Sequence, residues 1–219
     1  MGSTSDYEII NTLASKSGFS QKSQLVKLSG FTRWKDSINY RDSYTMFFGK
    51  TIECKVVLDR DYYPQDYLDS IKAELLSHKI KLTFTPGKEI ENLFLEEEFL
   101  ISLLPHGINC LALTQFLDLL YIREKEMCKS KYAEFLKQYS DQNKHKAYST
   151  ILTEISPSFE NDWSDKSKRH NLIHGKNTLA EVRDFFRETY KINLTTNFLI
   201  EKLVLKNNKF VQDFIKQIY

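Results

Sequence analysis

A chain of 219 residues is long enough to bury a full core and sets the expectation at one domain, with or without an appendage. Its 41% hydrophobic and 27% charged content excludes a disordered or collagen-like polymer, and 31 basic against 29 acidic residues leave a net charge of only +2. Contact with nucleic acid would therefore have to come from local patches rather than bulk charge.

Ile9, Ile10, Leu13 and Ala14 recur at helical spacing behind the cap candidates Ser3, Thr4, Ser5 and Asp6, which predicts a helix over 6–17 closed by Gly18. Gln24 to Leu28 alternates like a short strand, and Gly30 to Trp34 reads as a loop entering a second helix. The next strand is 52–58. It ends in the continuous run Val56-Val57-Leu58, as expected of a parallel strand covered on both faces, and Asp59-Arg60-Asp61 follows at once. Pro64 and Gln65 open an amphipathic helix over 66–78 with Leu68, Ile71, Leu75 and Leu76 on one face, and 79–85 alternates as a further strand. Helices alternating with strands in this way suit a parallel sheet with crossover helices.

Beyond Glu89 the texture changes, and the spacing of Leu93, Phe99, Leu103, Leu113, Leu117 and Leu120 predicts helices as far as about Tyr148. Lys125, Lys129, Lys131, Lys137, Lys144, His145 and Lys146 alternate there with Tyr132, Phe135, Tyr139 and Tyr148. This pattern suits either a phosphate-facing helical surface or a solvated helix with its rings turned inward. Residues 164–170 read as a loop leading into Asn171 to Lys176. A helix with Leu179, Val182, Phe185 and Phe186 inward comes next, then two amphipathic helices over 194–205 and 209–219, the first capped by Thr195 or Thr196.

Three cysteines, Cys54, Cys110 and Cys128, are too irregularly spaced for a disulfide framework or a zinc site and read as buried free thiols of a reducing cytosol. No apolar run approaches the roughly 18 residues that span a bilayer, and residues 1–20 lack the apolar stretch of a secretion signal, so a cytoplasmic protein without a membrane partner is expected.

The candidate chemistry lies in the acidic residues. Asp59 and Asp61, two apart at a strand's C-terminal end, would project to one side of an extended chain and offer hard oxygen ligands to Mg²⁺ or Mn²⁺. A solvated Asp-Arg-Asp turn is the alternative. His170 and His174 are four apart, but Gly175 argues against the helix that a zinc pair would need.

Three segments in this order resemble the Toprim nuclease domain of the overcoming-lysogenization-defect (OLD) family and related ATPase-linked phage-defence proteins. They are Val56 to Tyr62, similar to the family's strand ending in a DxD-like pair; Lys88 to Leu95, which looks like its following acidic element; and Ile173-His174-Gly175-Lys176, which resembles a loop whose lysine acts near the scissile phosphate. The resemblance implies an α/β fold, a Toprim-like and mostly parallel sheet flanked by helices. It divides the chain into a core over 1–95, a helical insertion over 96–165 and a C-terminal loop with helices over 166–219.

It further implies a metal-dependent DNA phosphodiesterase in which Asp59 and Asp61 are metal ligands and Glu91 is a ligand or orients water, while Lys176 neutralises phosphate charge. The family's first strand ends in Glu-Gly, whose glutamate is a ligand. Met1 stands where that glutamate is expected, Asp6 corresponds to the acid that follows it, and no GxxxxGK[ST] phosphate loop is present. A truncated, weakly active or inactive nuclease domain is the expectation, with an ATPase as partner or missing neighbour. Two other classes stay open: a catalytically inactive DNA- or partner-binding module docking through helices in 99–150 and 195–219, and a phosphotransferase with Asp59 as nucleophile.

Overall fold

The computed structural model describes residues 6–16, 26–28, 30–205 and 209–218. In chain order the elements are α1 (Asp6–Lys16), a 3₁₀ turn (Phe31–Arg33), α2 (Asp36–Phe48), β1 (Cys54–Leu58), α3 (Gln65–Ser77) and β2 (Ile80–Phe84). A second 3₁₀ turn (Ile90–Phe94) leads into α4 (Glu97–Ser102), α5 (Leu111–Tyr139), α6 (Tyr148–Ser164), α7 (Lys166–Arg169) and α8 (Gly175–Phe185). A π turn (Phe186–Tyr190), α9 (Thr196–Leu205) and α10 (Lys209–Ile218) follow.

The run Val56-Val57-Leu58 forms a strand because both of its faces find apolar cover. Val56 and Leu58 pack with Trp34, Ile71, Leu75, Ile80 and Leu82, while Val57 turns to the opposite side and meets the large helical core. Parallel pairing needs a crossover, and α3 provides it. Pro64, with φ of −66° and no N–H to leave unpaired, stands at its start. Leu68, Ile71 and Leu75 form the buried stripe of α3, whereas Leu76 is exposed. Lys79, at a left-handed φ of 55°, turns the chain into β2, which pairs with β1 in parallel with Val56 opposite Leu82 and Leu58 opposite Phe84.

The architecture is α/β but mostly helical, and the sheet is smaller than expected. Among the described residues it has two strands. Of the expected strand over 24–28, Gln24 and Leu25 lie outside the described residues, while Val26 to Leu28 are irregular with Val26 half-exposed, so the alternation there is not matched by burial. Residues 164–170 differ too: in place of a loop, Asp165 accepts a hydrogen bond from the Ser167 N–H (2.9 Å) and caps the short helix α7. Ser17 and Gly18, expected to end the first helix, lie outside the described residues.

The helical core runs from Ile9 of α1 through Phe99, Leu117, Trp163 and Val182 to Ile215 of α10, so residues from 1–95, 96–165 and 166–219 share it. Helix α10 contacts both strands, and α1 packs on α9. The three cysteines are free, but only Cys128 is fully buried; Cys54 and Cys110 are partly exposed. No helix among the described residues is long and apolar enough to cross a membrane.

Candidate functional site

Strand β1 stops at Leu58, and its two following aspartates part company. The ladder continues for one more bond, Thr85 N–H to Leu58 O (2.9 Å), after which the Thr85 hydroxyl oxygen accepts from Arg60 N–H (2.9 Å). Asp59 turns inward, where its Oδ1 accepts from the Ile90 N–H (3.1 Å). Asp61 lies at a left-handed φ of 49°, donates its N–H to Lys88 O (2.8 Å), and accepts from the Tyr62 N–H through its own Oδ1 (3.0 Å). An extended chain would have put both carboxylates on one side; the turn at Asp61 ends that geometry.

The segment after β2 is fastened to the loop before α8 by Asn92, whose side chain is buried and saturated. Its Nδ2 donates to His170 O (2.6 Å) and Ile173 O (2.9 Å), and its Oδ1 accepts from Glu89 N–H (2.8 Å). Lys88 N–H adds a bond to Asn171 O (3.2 Å). Glu89 caps two elements: its carboxylate completes a capping box with Asn92, and its Oε2 accepts from the Lys176 N–H (2.7 Å) at the start of α8. Two glycines permit this contact. A Cβ on Gly87 would lie 2.5 Å from Asn92 Cβ, and one on Gly175 would lie 2.9 Å from Asn92 Oδ1.

Lys176 and Asp6 stand close enough to Asp59 and Glu91 for their charges to act on both carboxyls, which makes the four an acidic neighbourhood around one lysine. The Lys176 ammonium pairs with Asp6 Oδ1 at 3.1 Å, both side chains remaining about half-exposed (45% and 47%). Glu91 lies deeper, at 5% exposure, and its Oε2 finds no donor among the described residues. Burial pushes the Asp59 carboxyl up to about 7, helped by the Asp6 charge and opposed by Lys176. Burial likewise carries Glu91 up to about 7 against the pull of Lys176. For Lys176, burial acts to lower the pKa, but the charges of Glu91, Asp6 and Asp59 outweigh it and leave it raised.

Asp61 belongs to a different neighbourhood, with Lys88, His174 and Tyr62. Lys88 is 3% exposed, its ammonium sits over the Tyr62 ring, and it has no hydrogen-bond acceptor among the described residues. Burial draws its pKa down to about 8, with Cys128, Asp61 and Glu89 opposing. A lysine between Gly87 and Glu89 looks solvated in the sequence, and only the packing of Tyr62 above it reveals otherwise. His170 and His174 stand at the end of α7 and the start of α8, not on one helix. Burial lowers His170 to about 4.

Among the described residues no three His, Cys, Asp or Glu side chains form a ready-made metal cage. Nor is the basic stretch from Lys125 to Lys146 an open phosphate surface. Lys125 and Lys129 pair with Glu160, Lys131 with Glu134, Lys144 with Asp141 and Lys146 with Glu154. Its rings turn to the protein, Tyr139 packing edge-on against Tyr63 and the Tyr148 hydroxyl bonding to Ser130 (2.8 Å). Two of the neutralising acids come from α6, which residue spacing along α5 does not disclose. Comparison with protein-family models, curated proteins and solved structures gives no match.

Asn92→Ala removes the partner of three backbone groups, one buried and two partly buried, and should cost about 3 kcal/mol in urea unfolding, while Gly87→Ala should cost ~1–3 kcal/mol through overpacking. Lys88 carries a lower pKa folded than unfolded, so the unfolded chain binds more protons between pH about 8 and 10.5 and stability rises with pH in that window. Lys88→Met should flatten that rise and add up to about 3 kcal/mol at pH 7, read from unfolding curves at pH 7, 8, 9 and 10.

Proposed function

We propose that the chain is a Toprim-type, divalent-metal-dependent nucleic-acid phosphodiesterase built on Asp59, Glu91, Asp6 and Lys176. The observation that carries this reading is the convergence of three separate segments, the end of β1, the turn at 88–92 and the loop at 173–176, on one acidic cluster. DNA as substrate rests on the resemblance of those segments, as does an ATPase partner.

The residues fit a hard divalent ion in a limited way. Mg²⁺ keeps several waters and is commonly held by one or two carboxylates together with substrate phosphate, so a full protein cage is not required. Asp59 and Glu91 would be the carboxylates to hold it, because Glu91 Oε2 is buried without a donor and burial raises both carboxyls. Asp61 lies outside this set and serves the turn instead. A bound Mg²⁺ or Mn²⁺ would supply charge neutralisation and an acidified water.

The chain's own residues set the geometry. Ile90 N–H fixes the Asp59 carboxylate, Glu89 holds the backbone of Lys176, and the exposed Asp6–Lys176 edge is where a phosphate could approach. With one carboxylate buried, another half-buried and the lysine already engaged, turnover is expected to be slow.

A partner-binding module is the second reading. Leu111, Leu119 and Ile122 of α5 are exposed, as are Met46, Phe47 and Phe48 at the end of α2.

Titration calorimetry with Mn²⁺, run beside cleavage of supercoiled plasmid, separates the two. Asp59→Asn and Glu91→Gln should each weaken Mn²⁺ binding and reduce cleavage by on the order of 10²-fold, whereas Asp61→Asn should leave Mn²⁺ affinity within about threefold. Failure of the native chain to bind Mn²⁺ at millimolar concentration would transfer the assignment to the partner-binding module.

A further inference from the structure

Helix α5 turns one face to the core and leaves another uncovered. Leu113, Leu117, Leu120 and Tyr121 are buried, whereas Leu111 (55% exposed), Leu119 (68%) and Ile122 (73%) lie on the surface. At 3.6 residues per turn these three and the exposed Gln115 and Glu126 fall within about 80° of the helix surface, and the exposed Ala112 borders them. From Leu111 to Ile122 they form one largely apolar stripe about 16 Å long. Ion pairs rim it on both sides: Asp118 is held by Arg169 (2.8 Å) of α7, and Arg123 reaches Glu181 (2.7 Å) of α8. An apolar stripe inside a polar rim is the surface pattern of a protein interface.

We propose that this face pairs with the same face of a second copy of the chain, the two α5 helices running antiparallel across a two-fold axis near residues 116 and 117. Two observations select that occupant. The first is the placing of apolar and charged residues along the stripe. Antiparallel pairing about that centre sets Leu111 across from Ile122 of the second copy and Ile122 across from its Leu111, so apolar meets apolar twice. It also carries Glu126 to the start of the other α5, whose first turn has no acidic residue and whose preceding loop exposes His106, a favourable end for a carboxylate. Parallel pairing would instead set Glu126 against Glu126. The second is area. Leu111, Leu119 and Ile122, with Ile108 (42% exposed) just ahead of the helix, offer on the order of 400 Å² of apolar surface per copy. Two copies would bury about 800 Å² of it, which at the roughly 60% apolar share of such interfaces corresponds to ~1,300 Å² in all, within the range of stable dimers. The pairing is independent of Asp59, Glu91 and Lys176, which lie on other elements.

Analytical ultracentrifugation of the full chain from about 1 to about 200 μM, with folding checked by circular dichroism, tests the pairing. The native chain should pass from monomer to dimer with a Kd on the order of 10 μM, the modest affinity of a small interface. Leu119→Glu and Ile122→Glu alter surface positions, so both chains should fold and both should stay monomeric throughout, a weakening of at least ~20-fold. Orientation is read separately. In a Cys110→Ser background, Leu111→Cys and Ile122→Cys chains mixed in equal amounts should oxidise mainly to a disulfide between positions 111 and 122. A native chain that remains monomeric at about 200 μM overturns the proposal and gives the face to a different partner. A dimer that both glutamate variants leave intact overturns it by placing the association elsewhere, and a predominant disulfide between two copies of position 122 overturns the antiparallel arrangement.

Discussion

The buried amide of Asn92 is the contact on which the rest of the site depends. An amide side chain removed from water must satisfy two donor hydrogens and an oxygen, and Asn92 does so with the carbonyls of His170 and Ile173 and the N–H of Glu89. These partners lie some eighty residues apart in sequence, at |i−j| of 78 and 81 for the two carbonyls, so a single side chain holds the β2 exit against the α8 entrance. Gly87 and Gly175 exist in this arrangement to make room for it. Glu89 completes the junction by capping the 3₁₀ turn and the first turn of α8 together, where the N-terminal partial charge of a helix favours a carboxylate.

The acidic cluster is a consequence of that junction. Holding Lys176 beside the turn at 88–92 brings its ammonium toward Glu91 and Asp59, and α1 supplies Asp6 from the other side. The Lys176 charge favours the ionised form of both carboxyls. Even with it, burial raises both Asp59 and Glu91. Electrostatics here opposes folding locally and is tolerated because the surrounding apolar core, from Ile9 to Ile215, holds the elements in place. Groups kept under such tension are the ones able to respond to a cation or an anion.

The βαβ unit was legible because its signals are local: a short apolar run, a proline ahead of an amphipathic stretch, and a second alternating run. So were most helices after Glu89, down to the cap at Thr195, whose hydroxyl accepts from the Phe198 N–H (3.2 Å). The short α7 was missed because its Ser and Lys residues resemble a loop unless Asp165 is recognised as a cap. The strand expected over 24–28 is not matched by Val26 to Leu28, because alternation predicts burial only where something lies opposite to cover it.

Among the site residues, Asp59, Glu91, Asp6 and Lys176 could be singled out by residue type and position, but their grouping could not. Asp61 looked equivalent to Asp59, but it takes a left-handed φ of 49° and its charge acts on Lys88, His174 and Tyr62. Lys88 drew no notice, since burial of a lysine depends on what folds over it, here Tyr62. The lysines between 125 and 146 left two readings open, and acids on α6 neutralise Lys125, Lys129 and Lys146. The sequence by itself determined the helices, the strand pair and the inventory of charged groups, because these follow from periodicity, capping and composition within a few residues. Only the tertiary structure decided which charges meet, because that depends on long-range contacts such as Asn92 to Ile173 and on the burial they impose.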